Sequence, residues 1–210
     1  MDFFDVHTHN LSINPSAIIS CNADYFRLNE RIVYASVGIH PWNLTEENSE
    51  ALYLNLIRLI KDKRVLAIGE AGLDKIKGPS LELQTSVFRQ EILLAEECRL
   101  PMVIHCVRAF NELLYLKKKC NSRQTWIIHG FRGNEALAKD LLRHGCWLSF
   151  GEHFQDDALK AVPVDRLFIE SDEADKSIKS IYERVAQVRG MSLDELNQVI
   201  KMNVQEVFFK

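Results

Sequence analysis

The segment VLAIGEAGLDKIKGPSLELQTSVFRQEILLAEECRLPMVIHC, residues 65–106, contains the unit from which the fold of this chain is predicted. It begins with a short apolar run at 65–70 and ends with another at 101–106, and both have the length and composition of buried strands. The residues between them have helical periodicity, and Ser80 is in position to cap that helix. Strand, helix and strand in this order are typical of a parallel α/β sheet.

Six further apolar runs have the same character. They are FFDVH (3–7), AIISC (17–21), IVYASVGI (32–39), WIIH (126–129), CWLSF (146–150) and RLFIES (166–171). Together with the two runs above they predict an α/β fold, a TIM-like (β/α)8 barrel, over residues 1–210 as a single domain. Residues 10–16 are too few for a crossover helix, which needs about a dozen, so we expect a loop in place of the first outer helix.

Composition and charge argue against some classes of protein. The net charge of −3 gives no basic surface of the kind that drives non-specific nucleic-acid binding. No apolar run is long enough to cross a bilayer, and no feature indicates an obligate protein partner. The 5 cysteines are odd in number and without a CxxC pair, which favours reduced thiols. We therefore expect a soluble, cytoplasmic protein.

Imidazoles and carboxylates fall at the ends of the predicted strands. In DVHTH (5–9) the two histidines are one residue apart, so on a strand they share a face. Later strands end with, or are followed by, residues of the same types, and the whole set is His7, His9, His40, Glu70, His105, His129 and Asp172. Parallel barrels gather the carboxyl ends of their strands at one mouth, where catalytic groups lie. We therefore expect these side chains to form one site.

Histidine and carboxylate ligands without thiolates suit Zn, Mn or Mg, and this set is too large for one tetrahedral ion. The economical arrangement has two divalent ions that share a carboxylate. We assign His7, His9, Glu70 and Asp172 to one ion and Glu70, His105 and His129 to the other. Glu70 is then the bridge. Asp5 is a further candidate, as an acceptor that fixes the tautomer of a ligand imidazole, although a solvated role is equally open.

Six ordered motifs resemble the TatD family of metal-dependent deoxyribonucleases. They are DVHTH (5–9), VGIHP (37–41), IGEAGLD (68–74), VIHC (103–106), IIHGFRG (127–133) and FIESD (168–172). The resemblance implies a TIM-like barrel and a two-metal site that hydrolyses phosphodiesters, commonly by 3′-to-5′ trimming of single-stranded DNA ends. It also implies the same six metal ligands, a substrate contact for His40, and a role for Asp172 with the proton of the attacking water.

The chain departs from the family pattern where substrate would bind. It is shorter than most members at the front and after the last strand, and Trp42 stands where many members have a second histidine. Trp42 could stack on a base or close the top of the barrel, and Arg132 could bind an anionic group or lie on the surface. Both are candidate substrate contacts, together with His40. Cys106 is predicted to be a packing residue, because strand alternation points it away from His105.

The expected chemistry is metal-assisted hydrolysis with Asp172 and Glu70 as catalytic residues. The substrate would be a single-stranded DNA end or a small phosphoester. A small-molecule amidohydrolase, lactonase or phosphoesterase is an alternative, because the same ligands polarise a carbonyl group as readily as a phosphoryl group. A non-catalytic, metal-bearing binding module is the other alternative.

Overall fold

A computed structural model describes residues 2–11, 14–25 and 27–209 of the chain. Its sheet contains 8 parallel strands in chain order. The strands are β1 Asp5–Thr8, β2 Ala17–Asn22, β3 Tyr34–Gly38, β4 Val65–Asp74, β5 Met102–Val107, β6 Trp126–Ile128, β7 Cys146–Phe150 and β8 Leu167–Ile169. All of the predicted strands are present, and the prediction of a TIM-like barrel is confirmed.

The barrel closes between its first strand and the segment after its last strand. Thr8 and Asp172 form a parallel bridge. The backbone N–H of Asp172 donates to the carbonyl of His7 at 2.9 Å, and the N–H of His9 donates to the carbonyl of Asp172 at 3.2 Å. The closure therefore brings Asp172 directly beside His7 in β1 and His9 just after it.

Helices cover the later strands of the barrel. They are α1 Ser49–Leu59, α2 Leu81–Cys98, α3 Phe110–Lys119, α4 Glu135–Arg143, α5 Asp156–Ala161, α6 Ile178–Arg189 and α7 Leu193–Phe208, with short 3₁₀ helices at Pro41–Asn43 and Val164–Arg166. Ser80 caps α2 as predicted, because its side chain accepts a hydrogen bond from the N–H of Leu83. None of the helices in the described ranges is both long and apolar enough to cross a membrane.

Outer helices are absent from the described residues at the front of the barrel. The described residues of the β1–β2 connection contain no helix, as expected from its length, and neither do those of the β2–β3 connection, which spans 23–33. The described residues of these two connections therefore place no helix over β2.

Strand β4 lies unusually close to β5 on both sides of Glu70. Gly69 and Gly72 have φ values of +151° and +148°, which L-residues with a side chain rarely adopt. A Cβ atom on Gly69 would collide with the backbone of Val103, and one on Gly72 with that of His105. The glycines therefore allow the approach of β5 that brings His105 beside Glu70.

Candidate metal centre

The predicted site residues converge on the carboxylate of Glu70 at the mouth of the barrel. Its oxygen Oε2 lies 3.4 Å from Nε2 of His7, in β1, and 3.3 Å from Nε2 of His9, which follows that strand. Both of these nitrogens also lie 3.7 Å from Oδ1 of Asp172. The structure thus brings together the four side chains that were assigned to one ion.

The other oxygen of Glu70, Oε1, faces a different set of imidazoles. It lies 2.8 Å from His105 Nδ1 and 2.8 Å from His129 Nε2, the two histidines that were assigned with Glu70 to the second ion. His40 Nε2 joins this set at 3.1 Å. The two oxygens of one carboxylate therefore face different imidazoles, and His7, Glu70 and His129 also lie close enough together to form a single group of candidate ligands.

The surrounding imidazoles keep Glu70 ionised. Burial by itself would raise the pKa of Glu70, but the charge of His129 and hydrogen bonds with His105, His129 and His40 hold that pKa well below its usual range. Burial opposes the charged form of His129 as well, yet the negative charge of Glu70 raises the pKa of this imidazole well above its ordinary value. The centre thus contains a buried anion whose charge is stabilised by the imidazoles around it.

A metal ion fits the environment of His7. The imidazole is completely buried, and neither Nδ1 nor Nε2 has a hydrogen-bond partner within the described residues. An unsatisfied buried polar group costs about 1–3 kcal/mol, so such a ring needs a further partner. Neutral imidazole nitrogen and carboxylate oxygen are ordinary ligands of Zn and Mn. The donor set and the unpartnered ring both suit a divalent cation.

Two buried carboxylates lie near the ring nitrogens of His129 and His105 that do not face Glu70. Neither carboxylate is assigned a role from the sequence. Glu170 Oε1 lies 3.3 Å from Nδ1 of His129 and accepts a hydrogen bond of 2.6 Å from the N–H of Gly130. Asp74 Oδ2 lies 3.2 Å from Nε2 of His105. A carboxylate behind a histidine fixes its tautomer and ring orientation and makes it a better metal ligand.

Asp5 does not have the role that was expected of it. Its Oδ1 accepts from the N–H of Ser171 at 3.0 Å and lies 3.4 Å from the N–H of His7, while Oδ2 accepts from the Ser171 hydroxyl at 2.6 Å. The expectation that Asp5 fixes an imidazole is therefore wrong. Asp5 lies at the start of β1, beside the backbone that follows β8, so it ties the closing strands together. Burial raises its pKa to about 7.

His40 is held in place by residues of two neighbouring elements. The side-chain oxygen of Asn22, at the end of β2, accepts from the N–H of His40 at 3.3 Å. The fully buried carboxyl group of Glu91, on α2, accepts from the N–H of Ile39 at 2.7 Å. Neither residue was singled out from the sequence, because both act on backbone groups that are distant in the chain.

The predicted substrate contacts lie around two cavities. A cavity of ≈350 Å³ is lined by His40, Trp42, Glu70 and Asp172 among others. The ring of Trp42 is partly exposed at its rim, its N–H donates to Asp74 at 2.7 Å, and Lys77 Nζ lies 3.5 Å from the ring centre. Arg132 lines a separate cavity of ≈270 Å³ on the other side of Asp172. Asp172 therefore borders both.

Cys106 is unsuited to act as a nucleophile. Burial raises the pKa of its thiol to about 12, so the group remains protonated at neutral pH. It packs against the apolar core, as strand alternation predicts.

Comparisons with known proteins agree with this picture. A family model described as "TatD related DNase" matches residues 6–209. The chain is 29% identical over 199 residues to the metal-dependent hydrolase YabD of Bacillus subtilis (strain 168), covering 84% of this chain and 77% of the relative. It is 27% identical over 202 residues to the 3′-5′ ssDNA/RNA exonuclease TatD of Erwinia amylovora, covering 83% and 78%. The crystal structure of YjjV, a TatD homologue from Escherichia coli K12, superposes with a TM-score of 0.83 at 21% identity over 100% of this chain and 98% of that one, which shows the shared fold.

Proposed function

The chain belongs to the TatD family of metal-dependent hydrolases, and we propose that it cleaves phosphodiester bonds at the 3′ ends of single-stranded DNA. The Erwinia relative is a 3′-5′ ssDNA/RNA exonuclease, which supports this choice of substrate class. The front connections, which form no helix in their described residues, support it as well. A single strand is narrower than a duplex and needs less protein surface around the site.

The metal centre that we propose holds two divalent ions, Mg, Mn or Zn. One ion would be bound by His7, His9, Glu70 and Asp172, and the other by Glu70, His105 and His129. The observation that carries the proposal is the division of the Glu70 oxygens, with Oε2 toward His7 and His9 and Oε1 toward His105 and His129. His40, at 3.1 Å from Oε1, is close enough to assist the second group or to contact substrate.

Two carboxylates would carry the catalytic roles. Bound divalent ions supply positive charge that lowers the pKa of a water molecule and offsets charge on a phosphate. Asp172 is the group we assign to accept the proton, because its side chain is 28% exposed and borders both cavities of the mouth. Glu70 holds the two ligand groups at a fixed separation, and its low pKa keeps it charged throughout.

Substrate would be held by the residues around these cavities. We assign His40 to a phosphate oxygen, because it borders the cavity that contains Glu70. Arg132 is exposed on the far side of Asp172, where a guanidinium can bind a second anionic group. The exposed part of Trp42 forms the rim against which the end of a strand would rest.

Hydrolysis of a small phosphoester, amide or lactone is the second candidate. It is favoured by the size of the central cavity, ≈350 Å³, which is within the range that encloses a small ligand whole. The ligand set alone does not separate the two, since it suits attack on carbonyl and phosphoryl groups alike.

A metal-resolved activity screen tests the proposal. Purified protein, loaded in turn with Mg, Mn and Zn, is given single-stranded DNA, RNA, dinucleotides, phosphomonoesters and lactones, with Asp172→Asn as the control for contaminating nucleases. We expect shortening of single-stranded DNA from the 3′ end, dependent on metal and lost in the control. Turnover of lactones or phosphomonoesters alone would replace the nuclease assignment with the second candidate.

A further inference from the structure

We propose that the chain has a nucleotide subsite beside the metal centre, formed by Tyr25, Arg27 and Arg31 in the β2–β3 connection. It would bind the nucleotide adjacent to the one whose phosphate is attacked. The inference rests on the proposed function, because it assigns a further contact to the same single-stranded substrate.

The subsite is a cavity of ≈520 Å³ between β2 and residues 27–32. It lies directly beside the central cavity, since both are lined by His9, Ser20, Cys21 and Tyr25. The space exists because the described part of the front connections forms no helix that would cover β2. A chain that leaves the metal centre on this side therefore enters the second cavity directly.

The floor of this cavity is apolar. The buried side chains of Ile19, Leu28 and Ile32 line it. They offer a flat ligand an apolar surface that is shielded from water. Tyr25 lies where the two cavities meet, with 54% of its surface exposed. An exposed aromatic ring beside an apolar floor suits a nucleobase, because every base presents a π face for stacking.

The rim of the cavity supplies positive charge. Arg27 and Arg31 are both exposed there, and neither forms an ion pair within the described ranges of the chain. Glu30 is the one acidic residue among the described lining residues, so cations exceed anions on this wall. In a protein of net charge −3 this is a local exception. Guanidinium groups beside a base-sized space match the phosphate that follows a stacked nucleotide.

These features favour a single strand over other ligands. A base inside a duplex is already stacked and paired, so it cannot lie on Tyr25 without being unstacked. A small ester without a second nucleotide would fill the central cavity and leave this one vacant. The subsite should therefore affect oligonucleotides and have no effect on minimal phosphodiesters.

The test compares two substrates across matched variants. Tyr25→Ala and the double variant Arg27→Ala/Arg31→Ala are measured with a thymidine trinucleotide and with bis(p-nitrophenyl) phosphate. The controls are Tyr115→Ala on α3 and Arg89→Ala on α2, which remove the same side-chain types from exposed positions elsewhere. We expect Tyr25→Ala to raise KM for the trinucleotide by about 5- to 150-fold, the range for loss of one stacking contact. The double arginine variant should raise this KM as well, and neither variant should change kcat/KM for the small diester.

A binding measurement separates failure of the subsite from failure of the proposed function. Fluorescence anisotropy of a labelled thymidine trinucleotide is followed with metal-free protein in chelator, so no hydrolysis is needed. Weaker binding in the subsite variants than in the controls supports the inference, even if the native protein cleaves neither substrate and the nuclease proposal is abandoned. Equal KM and equal binding in subsite and control variants, or neither cleavage nor binding of the trinucleotide by the native protein, would overturn it.

Discussion

Oε1 of Glu170 lies 3.3 Å from Nδ1 of His129, on the side of the imidazole that faces away from Glu70. The same oxygen accepts the N–H of Gly130, and the carboxylate is completely buried. Burial would raise the pKa of Glu170, but its hydrogen bond with His129 and the charge of that ring lower it. Glu170 therefore orients His129 Nε2 toward the metal centre.

Removing this support should weaken metal binding. Glu170→Leu deletes the acceptor behind His129, and we expect affinity for one divalent ion to fall by about 10- to 100-fold. Glu170→Gln keeps a side-chain oxygen for Gly130 and His129, so its affinity for the ion should fall by less. Titration calorimetry with Mn on both variants, with thermal melts to verify folding, measures the difference. Native affinity in Glu170→Leu would show that the carboxylate has no part in positioning the ring.

The buried carboxyl group of Glu91 should make the stability of native protein relative to Glu91→Gln depend on pH. Burial raises its pKa well above the usual range, and the hydrogen bond from Ile39 only partly opposes this. A carboxyl whose pKa is raised in the folded state stabilises the fold at low pH and loses that contribution as pH rises through the folded pKa. Glu91→Gln keeps the acceptor without the charge. Its Tm relative to native protein should therefore increase from about pH 4.5 to neutrality.

The control for this measurement lies on the same helix. Glu82→Gln changes an exposed carboxylate in the first turn of α2. Melting curves of the three proteins across the pH range are compared. The Tm difference between Glu91→Gln and native protein could instead be constant with pH, or no larger than that of Glu82→Gln. Either result would mean that ionisation of Glu91 does not destabilise the folded state.

Asp172→Asn separates the chemistry from the architecture. Asparagine still offers a carbonyl oxygen but cannot accept a proton, so kcat should fall by about 10²- to 10⁴-fold while the fold is retained. Cys106→Ala is the matched variant outside the site, and its turnover should remain close to native. Initial rates and circular dichroism are measured on both. Loss of hydrolysis in Cys106→Ala with full activity in Asp172→Asn would replace the proposed mechanism with a thiol-based one.

Salt dependence tests the nature of the substrate surface. The net charge is −3, and the arginines that line the described part of the mouth cavities are Arg27, Arg31 and Arg132. Neutralising about three phosphates of a single strand gives a slope of log K against log salt of about −2. Binding of single-stranded and duplex DNA is measured over a range of salt. Tight duplex binding with a much steeper slope would contradict this reading of the surface.

The barrel and the convergence of its candidate ligands were predictable because they depend on local patterns. Apolar runs of strand length mark the barrel, and the side chains at their ends must meet when parallel strands close. His7, His9 and Asp172 illustrate this, since barrel closure alone brings them to the same place.

The supporting residues could not be assigned because their roles depend on three-dimensional register. Glu170 and Asp74 lie within the motifs that were quoted, yet nothing in the sequence states which imidazole each one faces. Asp5 has the strand parity of His7 but is saturated by Ser171. The cavity beside Tyr25 lies where the described front connections form no helix, and no single residue of the sequence indicates this.

The metal stoichiometry of native protein and of Glu70→Gln tests most directly whether one carboxylate serves two ions. Glu70 presents Oε2 to His7 and His9 and Oε1 to His105 and His129. Titration calorimetry with Mn should saturate at two ions per native chain, and Glu70→Gln should lose at least one of them while remaining folded. Saturation at a single ion, unchanged in Glu70→Gln, would contradict the shared-carboxylate centre.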